Sequence, residues 1–241
     1  MIRLDIYLEK NKYLESRKKA KDHILKGQVL VNSKPVKKPS FLVSKDDLVE
    51  VLNVDKYVAR SAHKLLQAFS DFSIDCNNCI ALDVGSSTGG FTQVLLEKGA
   101  SKVYALDVGK KQLHESLRNR KEVVSIENQD IRTIDRDFFT HKIDFVTCDV
   151  SFISITKVLH PIFNILSSKG RGVFLIKPQF EVGREKIGKK GLVKSEKDRQ
   201  ESLEKVIDKI KEVGFAVLGS IQSSLLGSQG NVEYLVYITK D

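Results

Sequence analysis

The sequence has no tryptophan, one methionine, four prolines and three cysteines among its 241 residues. Without tryptophan it lacks the largest aromatic ring for stacking on nucleobases. Three cysteines are too few for a disulfide scaffold. No run of about 18 apolar residues occurs, so no helix should span a membrane, and residues 1–5 lack the apolar core of a signal peptide. These absences predict a globular, cytoplasmic protein that is neither secreted nor embedded in a membrane.

The three cysteines have one notable spacing. Cys76 and Cys79 form a Cys-x-x-Cys pair, and Cys148 lies in an apolar run. No second pair of ligands accompanies them, as a structural zinc site would require. We predict free thiols and no metal site, with a zinc site or a redox pair as the alternative.

Positive charge exceeds negative charge along the chain. Lys and Arg number 40, Asp and Glu number 31, and the formal net charge is +9. The segment from Met1 to Ala59 holds 13 basic and 8 acidic residues, a net charge of +5. This balance favours a polyanionic partner, although a solvated basic surface gives the same total.

The first 50 or so residues read as a small unit of their own. A short helix is predicted at residues 4–8, and a second helix follows Ser16 as its N-cap and stops at Gly27. Residues 29–36 and 48–52 read as strands. The pattern resembles an S4 RNA-binding domain in the following residues: Arg3-Leu4-Asp5, Leu8, Ser16-Arg17, Ala20, Ile24, Gly27, Val29 and Val31-Asn32. The resemblance implies that basic side chains dock on structured RNA, and the candidates are Arg3, Arg17, Lys18, Lys21 and Lys26.

The segment from Ala81 to Phe91 reads as a strand, a tight loop and the start of a helix. Its spacing is Gly85-x-x-x-Gly89, which differs from dinucleotide and phosphate-loop motifs. Glycines allow a backbone to approach a ligand closely. An acid at the strand end, Asp83, suits a ligand with a cationic amine, whereas an ordinary strand-to-helix turn is the other interpretation.

Downstream, strand-like and helix-like runs alternate, which predicts a mostly parallel sheet with helices on both faces. Strands should end at Asp83, Asp107, Glu127, Asp149 and Lys177. Helices are predicted at residues 91–97, 111–118, 154–166 and 194–213. Two consecutive strands, 215–221 and 233–239, should close the sheet as an antiparallel hairpin.

The glycine loop and the acids at strand ends resemble the Rossmann-like fold of S-adenosylmethionine-dependent methyltransferases. This implies an α/β domain with a mostly parallel seven-stranded sheet and an antiparallel last strand, preceded by the small α+β S4 domain. By resemblance, S-adenosyl-L-methionine is the cofactor, with its ribose at Asp107 and its adenine near Asp130. The implied cofactor residues are Asp83, Gly85, Ser86, Ser87, Thr88, Gly89, Gly90, Phe91, Asp107, Val108, Asp130 and Ile131.

The residues after Asp149 bear on the methyl acceptor. They read Val150-Ser151-Phe152, so the Asn/Asp-Pro-Pro-Tyr/Phe motif of enzymes that methylate base amines is absent. No catalytic cysteine motif appears either. An oxygen acceptor is therefore favoured, and a hydroxyl needs a base or a cation close to it. Lys177, at the end of an apolar strand, is the candidate.

Four residues match the Lys-Asp-Lys-Glu set of ribose 2′-O-methyltransferases of the FtsJ type: Lys64, Asp149, Lys177 and Glu233. The surrounding segments resemble the TlyA family: 61–65, 85–92, 149–154, 177–181 and 230–234. That resemblance implies methylation of a cytidine ribose 2′-hydroxyl in ribosomal RNA, in the large subunit (23S) by preference. Lys177 would be the base or the cation that stabilises the alkoxide, Asp149 and Lys64 would orient it, and Glu233 would complete the network. Family members were historically named haemolysins.

Further cations that could contact RNA lie outside the first segment, at Arg60, Arg184, Lys189 and Lys190. The predicted domains are 1–53 (S4-like), 54–60 (linker) and 61–241 (methyltransferase). The alternatives are methylation of another RNA position, a membrane-active haemolysin, or an RNA-binding assembly factor without chemistry. The sequence does not indicate an oligomeric state.

Overall fold

The structure, a computed structural model, describes residues 1–52, 56–227 and 229–241. The chain forms two compact units, Met1–Lys56 and Tyr57–Asp241. The predicted end of the first domain, residue 53, and the first two residues of the predicted linker, 54–55, lie outside the described residues. The remaining domain limits stay a prediction, with residues 57–60 belonging to the second unit.

The first unit contains two helices and several short strands. Ser16 caps the second helix by accepting a hydrogen bond from the backbone N–H of Lys19 at 3.3 Å, and Gly27 follows the helix with a φ of 71°, both as predicted. The described elements are β1 Ile2–Arg3, α1 Leu4–Lys10, α2 Arg17–Leu25, β2 Val29–Val31, β3 Lys34–Pro35, β4 Leu42–Val43 and β5 Val49–Val51.

The strands of this unit form two small antiparallel sheets. Strand β2 lies between β3 and β5, and β1 pairs with β4. Leu4 and Leu8 of α1 and Ala20 and Ile24 of α2 are fully buried in the unit's core. Because Ala20 and Ile24 share one face of α2, the lysines of this helix lie on its exposed face.

The second unit alternates strands and helices, as predicted. Its α-helices and strands among the described residues are α3 Ala62–Asp71, β6 Ile80–Val84, α4 Gly90–Glu97, β7 Lys102–Asp107, α5 Glu115–Arg118, β8 Val123–Glu127, β9 Ile143–Cys148, α6 Leu159–Ile165, β10 Leu166–Ile176, α7 Pro178–Glu181, α8 Glu196–Val213, β11 Phe215–Gln222 and β12 Tyr234–Lys240.

Seven strands of this unit form one sheet in the order β11-β12-β10-β9-β6-β7-β8. The pairings from β10 to β8 are parallel, whereas β12 is antiparallel to both of its neighbours. The predicted seven-stranded sheet with an antiparallel last strand is confirmed. The last strand enters the sheet between β10 and β11.

Both faces of the sheet are covered because its strands are apolar on both sides. In β9, Phe145 packs into the core with α3 and α4, and the next residue, Val146, packs into the core with α6 and α8. Because the strands from β10 to β8 are parallel, their carboxyl ends lie along one edge of the sheet. A ligand can bind at that edge.

Three predicted helices differ in detail from the structure. The helix expected at residues 111–118 begins only at Glu115, because the backbone N–H groups of Lys111, Gln112 and Leu113 donate instead to the carboxylate of Glu127 (2.7, 2.9 and 3.1 Å). The expected helix 154–166 is divided into a 3₁₀ turn and α6. Ser61 stands at the N-cap of α3, but its side chain makes no capping bond.

The described helices also test the expectation about membranes. Within residues 1–52, 56–227 and 229–241, no helix combines the length and the apolar composition needed to cross a bilayer.

Candidate active site

The glycine loop after β6 lies against the end of β9. Gly85 has a φ of 79°, and a Cβ atom at this position would lie 2.6 Å from the carbonyl oxygen of Asp149. The N–H of Asp149 donates to the carbonyl of Val84 at 2.9 Å, which fixes the two strand ends together. Only glycine satisfies both the backbone angle and the close approach.

Asp83 lies beneath this loop and has no exposed surface. It accepts hydrogen bonds from the hydroxyls of Thr92 (2.7 Å) and Thr147 (2.9 Å). Burial raises the pKa of Asp83 to about 7, although these two hydrogen bonds act in the opposite direction. Asp83 therefore supports the loop from inside the fold.

A cavity of about 670 Å³ opens at the carboxyl edge beside the loop. Half of the twelve predicted cofactor residues line it: Gly85, Ser87, Asp107, Val108, Asp130 and Ile131. The other half do not line it: Asp83, Ser86, Thr88, Gly89, Gly90 and Phe91. Of these, all but the exposed Thr88 are buried around the loop. The cavity is thus built from the ends of β6 to β9.

Asp107, the last residue of β7, has both carboxylate oxygens oriented by backbone groups. The N–H of Ser87 donates to one oxygen at 2.8 Å and the N–H of Gly109 donates to the other at 2.7 Å. An ionised carboxylate offers about four acceptor positions. Two therefore stay available in the cavity, which fits a pair of ribose hydroxyls.

The far end of the cavity is more apolar. Ile131 is buried and Val108 is 67% exposed, and both line the cavity. Asp130 is occupied by Arg132, which donates to it from the side chain (2.6 Å) and the backbone (2.9 Å) and so lowers its pKa. Two aliphatic side chains beside an acid suit a flat heteroaromatic ring such as adenine. The cavity therefore fits S-adenosylmethionine in volume and chemistry.

The first of two ion pairs lies directly at the cavity. Lys177 Nζ is 2.6 Å from Asp149 Oδ1, without the alignment of a hydrogen bond. The same ammonium donates to Ser151 Oγ at 2.7 Å. Asp149 and Ser151 line the cavity, whereas Lys177 does not line it and is only 9% exposed. The buried Lys177 ammonium is thus held behind two residues of the cavity wall.

The second ion pair joins Lys64 on α3 to Glu233, which precedes β12. Both side chains are almost fully buried, Lys64 to 7% and Glu233 to 2% exposure. A Cβ atom on Gly227 would collide with the Glu233 carboxylate, so the backbone of that loop closes over the pair.

Strand register explains why the two pairs share one edge. Ile176 pairs with Tyr234, so the next residue out on each strand, Lys177 and Glu233, leaves adjoining strands at the same level. Phe174 of β10 pairs with Cys148 of β9. Asp149 therefore leaves the sheet at this edge too. The structure brings the predicted residues Lys64, Asp149, Lys177 and Glu233 together as two ion pairs at the ends of β9, β10 and β12.

An exposed aromatic ring adjoins this edge. Phe152 is 89% exposed, lines the cavity and has a φ of 66°, which is unusual for a bulky residue. Its ring lies 5.4 Å from the ring of Phe180, and Lys177 Nζ lies 6.0 Å from the Phe180 centroid. The loop is held in place by Glu181, which accepts from Ser154 Oγ (2.6 Å) and the Ile155 N–H (2.9 Å).

Sequence reasoning missed several residues of the site. It assigned no role to Ser151, Phe152 and Arg132, which line the cavity, nor to Asn231. Asn231 is buried and binds the backbone of Gly191 (2.8 Å) and Val193 (3.0 Å), so it anchors the loop before α8. The signal for Ser151 and Phe152 was their place immediately after a strand-end acid.

The predicted RNA-binding residues of the first unit are basic and at least partly exposed. Arg3 and Arg17 also donate to the buried carboxylate of Asp5 (3.0 and 2.9 Å). The hydrogen bonds from Arg3 lower the pKa of Asp5 to about 2; burial acts in the opposite direction, and Arg17 adds to the lowering. Lys18 and Lys21 are exposed, and Lys26 pairs with Asp22 at 2.9 Å.

The predicted RNA-binding residues of the second unit are also exposed. Arg60 donates to the carbonyl of Leu226 at 3.2 Å. Arg184, Lys189 and Lys190 lie in two 3₁₀ turns between α7 and α8. Their contact with RNA stays a prediction.

The sheet order, the glycine loop and the acids at the carboxyl edge define the fold of S-adenosylmethionine-dependent methyltransferases. A solved enzyme of that class from Mesorhizobium loti shares this fold at 14% identity, with a TM-score of 0.53 over 72% of this chain and 96% of that one. Residues 57–240 match the profile of the FtsJ-like methyltransferases, and residues 2–49 match the S4 domain. The chain belongs to the FtsJ-like methyltransferase family and carries an S4 domain before its catalytic unit.

Three relatives cover nearly the whole chain. Hemolysin A of Brachyspira hyodysenteriae is 44% identical over 98% of this chain and 99% of its own length. The 16S/23S rRNA (cytidine-2′-O)-methyltransferase TlyA of Mycobacterium tuberculosis is 37% identical over 98% and 89%. The 23S rRNA (cytidine-2′-O)-methyltransferase TlyA of Campylobacter jejuni is 36% identical over 100% of both chains. These relatives match the sequence-based resemblance to the TlyA family.

Proposed function

We propose that this protein transfers a methyl group from S-adenosylmethionine to the ribose 2′-oxygen of a cytidine in ribosomal RNA, in the large subunit by preference. The observation that carries the proposal is the paired Lys177–Asp149 and Lys64–Glu233 arrangement beside the cavity. Two full-length relatives bear the name of this activity. The site of action would be the cytoplasm, where ribosomal subunits are found.

The cavity residues divide the task of holding the cofactor. Gly85 and Ser87 would lie along its methionine part, Asp107 would accept from its ribose hydroxyls, and Val108 and Ile131 would flank its adenine. When bound, S-adenosylmethionine supplies an electrophilic methyl group on a sulfonium. The protein holds the acceptor oxygen in line with the bond between the methyl group and the sulfur, and provides for removal of the hydroxyl proton.

Lys177 is the group that acts on the acceptor hydroxyl. A ribose hydroxyl is a weak nucleophile, so the reaction needs a group that takes its proton or stabilises the developing alkoxide. From its position 2.6 Å from Asp149 Oδ1 and 2.7 Å from Ser151 Oγ, Lys177 Nζ can stabilise the alkoxide as an ammonium or take the proton as a neutral amine. These two contacts fix the direction of the amine, so it need not be reorganised during the reaction.

Lys64 and Glu233 shape the same edge from the neighbouring strand end. Because the pair is buried, each charge depends on the other for its stability. Glu233 lies beside Lys177 in the strand register and adds negative charge near the amine. We assign Lys64 and Glu233 to orienting Lys177 and the acceptor ribose.

Phe152 provides a surface for the acceptor base. Phe152 has an exposed ring and a positive backbone φ, which costs stability. Such strain is typical of functional sites. Enzymes that modify a nucleotide within folded RNA stack its extruded base on aromatic side chains. We assign this role to Phe152, with Phe180 behind it.

The S4 unit would supply affinity for the RNA. The exposed face of α2 carries Arg17, Lys18 and Lys21, and Lys26 follows the helix as its C-cap; their charges can contact phosphates without reading sequence. The choice of nucleotide then depends on RNA shape and on the groups around Phe152. This division explains why a methyltransferase would carry a separate basic domain.

The direct test is to incubate the protein with radiolabelled S-adenosylmethionine and purified small and large ribosomal subunits that lack the modification. We expect label in the large-subunit RNA. The modified position should resist alkaline cleavage, because 2′-O-methylation removes the hydroxyl that attacks the adjacent phosphodiester. Mass spectrometry of nuclease fragments then identifies the nucleoside as methylated cytidine on its ribose.

Each alternative gives a different result in this assay. Label that leaves alkaline cleavage intact would indicate base methylation. Label only in the small subunit would contradict the proposed subunit preference. RNA binding without any label would indicate an assembly factor, and lysis of erythrocytes without label would support the haemolysin interpretation.

A further inference from the structure

The Cys-x-x-Cys pair forms a tight turn immediately before β6. The N–H of Cys79 donates to the carbonyl of Cys76 at 3.1 Å, and Asn78 between them has a φ of 58°. A four-residue turn of this kind brings its first and last Cα atoms within about 7 Å. Disulfides usually span Cα atoms about 4.4–6.8 Å apart. The backbone therefore holds the two cysteines at a separation that a disulfide can bridge.

Both cysteines open into a second, smaller cavity. It has a volume of about 150 Å³ and is also lined by Asp144 and Arg171. Cys79 precedes Ile80, the first residue of β6, so this cavity lies at the amino end of the strand. The candidate active site lies at the opposite, carboxyl end. The turn is therefore separate from the methyl-transfer residues.

The surroundings favour one reactive sulfur. The Cys76 thiol donates to the backbone carbonyl of Lys98 at 3.5 Å, and the proximity of the two sulfurs lowers the pKa of Cys76 and raises that of Cys79. Burial and the negative charge of Asp75 act against this lowering of the Cys76 pKa, whereas the positive charges of Arg171 and Lys98 add to it. Cys148 differs, because burial raises the pKa of its thiol and it lines neither cavity.

We propose that Cys76 and Cys79 form an oxidation site, at which a hydroperoxide converts the two thiols into a reversible intramolecular disulfide. The Cys76 thiolate attacks the peroxide oxygen, the O–O bond breaks, and Cys76 becomes a sulfenic acid. The Cys79 sulfur then attacks the Cys76 sulfur and displaces the hydroxyl group. Two thiols and one hydrogen peroxide thus give one disulfide and two waters, so two electrons pass from sulfur to oxygen.

The small cavity selects the oxidant. A volume near that of a few water molecules admits a compact hydroperoxide to the buried Cys76 sulfur, whereas a peptide disulfide is too large. The bridge would close a loop of only four residues, so it gains little from chain entropy. Such a bond is more easily reduced than a structural disulfide. The turn is therefore suited to reversible oxidation.

The test treats the folded full-length chain with hydrogen peroxide and follows its intact mass and its free thiols. We expect the mass to fall by two hydrogen atoms, two of the three thiols to disappear, and dithiothreitol to restore both. Cys148→Ala is the matched control and should react as the wild type does. In Cys79→Ala the sulfenic acid at Cys76 has no partner, so dimedone should capture it when the peroxide-treated chain is unfolded in the presence of dimedone.

Two results would overturn the proposal. One is retention of three thiols by the folded chain at peroxide concentrations that oxidise glutathione. The other is loss of thiols through links between chains, seen as dimers on a non-reducing gel. Because Cys76 and Cys79 open into the small cavity and Cys148 is fully buried, the Cys76–Cys79 pair should be oxidised faster than Cys148; equal rates in the folded chain would also contradict the proposal.

Discussion

Lys64 and Glu233 form a buried ion pair across 169 residues of sequence. Removing one partner leaves a buried charge without compensation, which costs about 3–5 kcal/mol of unfolding free energy. We therefore expect Lys64→Met and Glu233→Leu each to destabilise the protein by that amount, and the double variant to be less destabilised than the sum. Denaturant unfolding of the second unit measures this coupling.

A matched pair on the surface provides the control for that cycle. Lys209 and Glu212 on α8 are 2.6 Å apart, and their side chains are 36% and 67% exposed. Exposed pairs contribute about 0.2–1 kcal/mol, so Lys209→Ala with Glu212→Ala should show almost no coupling. Equal coupling for the buried and the exposed pairs would contradict the role given to burial.

Substitution of Lys177 should lower the rate of methyl transfer without weakening cofactor binding. A group that moves a proton or stabilises an alkoxide contributes on the order of 10²–10⁴-fold in rate. Lys177→Ala should lower kcat by that factor, while calorimetry should show little change in the Kd for S-adenosylhomocysteine, since Lys177 does not line the cavity. Lys205→Ala, an exposed lysine on α8, is the control. Near-normal turnover by Lys177→Ala would contradict the assignment.

The positions of Asp149 and Lys177 were predictable because each directly follows an apolar strand, and parallel strands end at one edge. The inward position of Asp83 follows from the same alternation: it shares its face of β6 with Ala81, which packs under α4. The exposure of Phe152 was not predictable. It depends on a positive φ set by the loop that Glu181 holds, and no local pattern encodes that angle. The late start of α5 likewise depends on Glu127, a residue distant in sequence.

Gly85 should tolerate no side chain. Alanine would adopt a left-handed backbone at a cost of about 1–2 kcal/mol, and its Cβ atom would meet the Asp149 carbonyl at 2.6 Å. Gly85→Ala should therefore lower the thermal midpoint and weaken S-adenosylhomocysteine binding together. Gly188→Ala is the control, because a Cβ there meets its nearest atom at 3.3 Å and its φ is not positive. Tight cofactor binding by Gly85→Ala would show that the loop can open without loss.

Asp83 should make stability depend on pH. Its pKa is about 7 in the folded chain and about 3.9 when unfolded. Its contribution to stability is present below about pH 4 and is lost as the pH rises to about 7, because the unfolded carboxyl ionises first; the loss is about 4 kcal/mol.

Asp83→Asn stays neutral throughout, so its stability relative to wild type should increase between about pH 4 and pH 7. Chemical denaturation at a series of pH values measures the difference. Asp208→Asn, on the exposed face of α8, controls for replacing a carboxyl with an amide. A constant difference between Asp83→Asn and wild type over this range would show that Asp83 is ionised in the folded protein.

Substitution of Phe152 should weaken the use of the RNA substrate and leave cofactor binding unchanged. Stacking of a base on an aromatic ring is worth about 1–3 kcal/mol by alanine substitution, which corresponds to roughly 5- to 150-fold in kcat/KM. Phe152→Ala should show this loss with ribosomal subunits, whereas Phe152→Tyr should retain activity. Phe138→Ala, which removes another exposed phenylalanine that does not line the cavity, is the matched control.

Phe152 has a positive backbone φ, and its side chain makes few buried contacts. Phe152→Ala should therefore not lower the unfolding free energy by more than about 1 kcal/mol. A large loss of stability with unchanged kcat/KM would show that the ring is structural and that the base is held elsewhere.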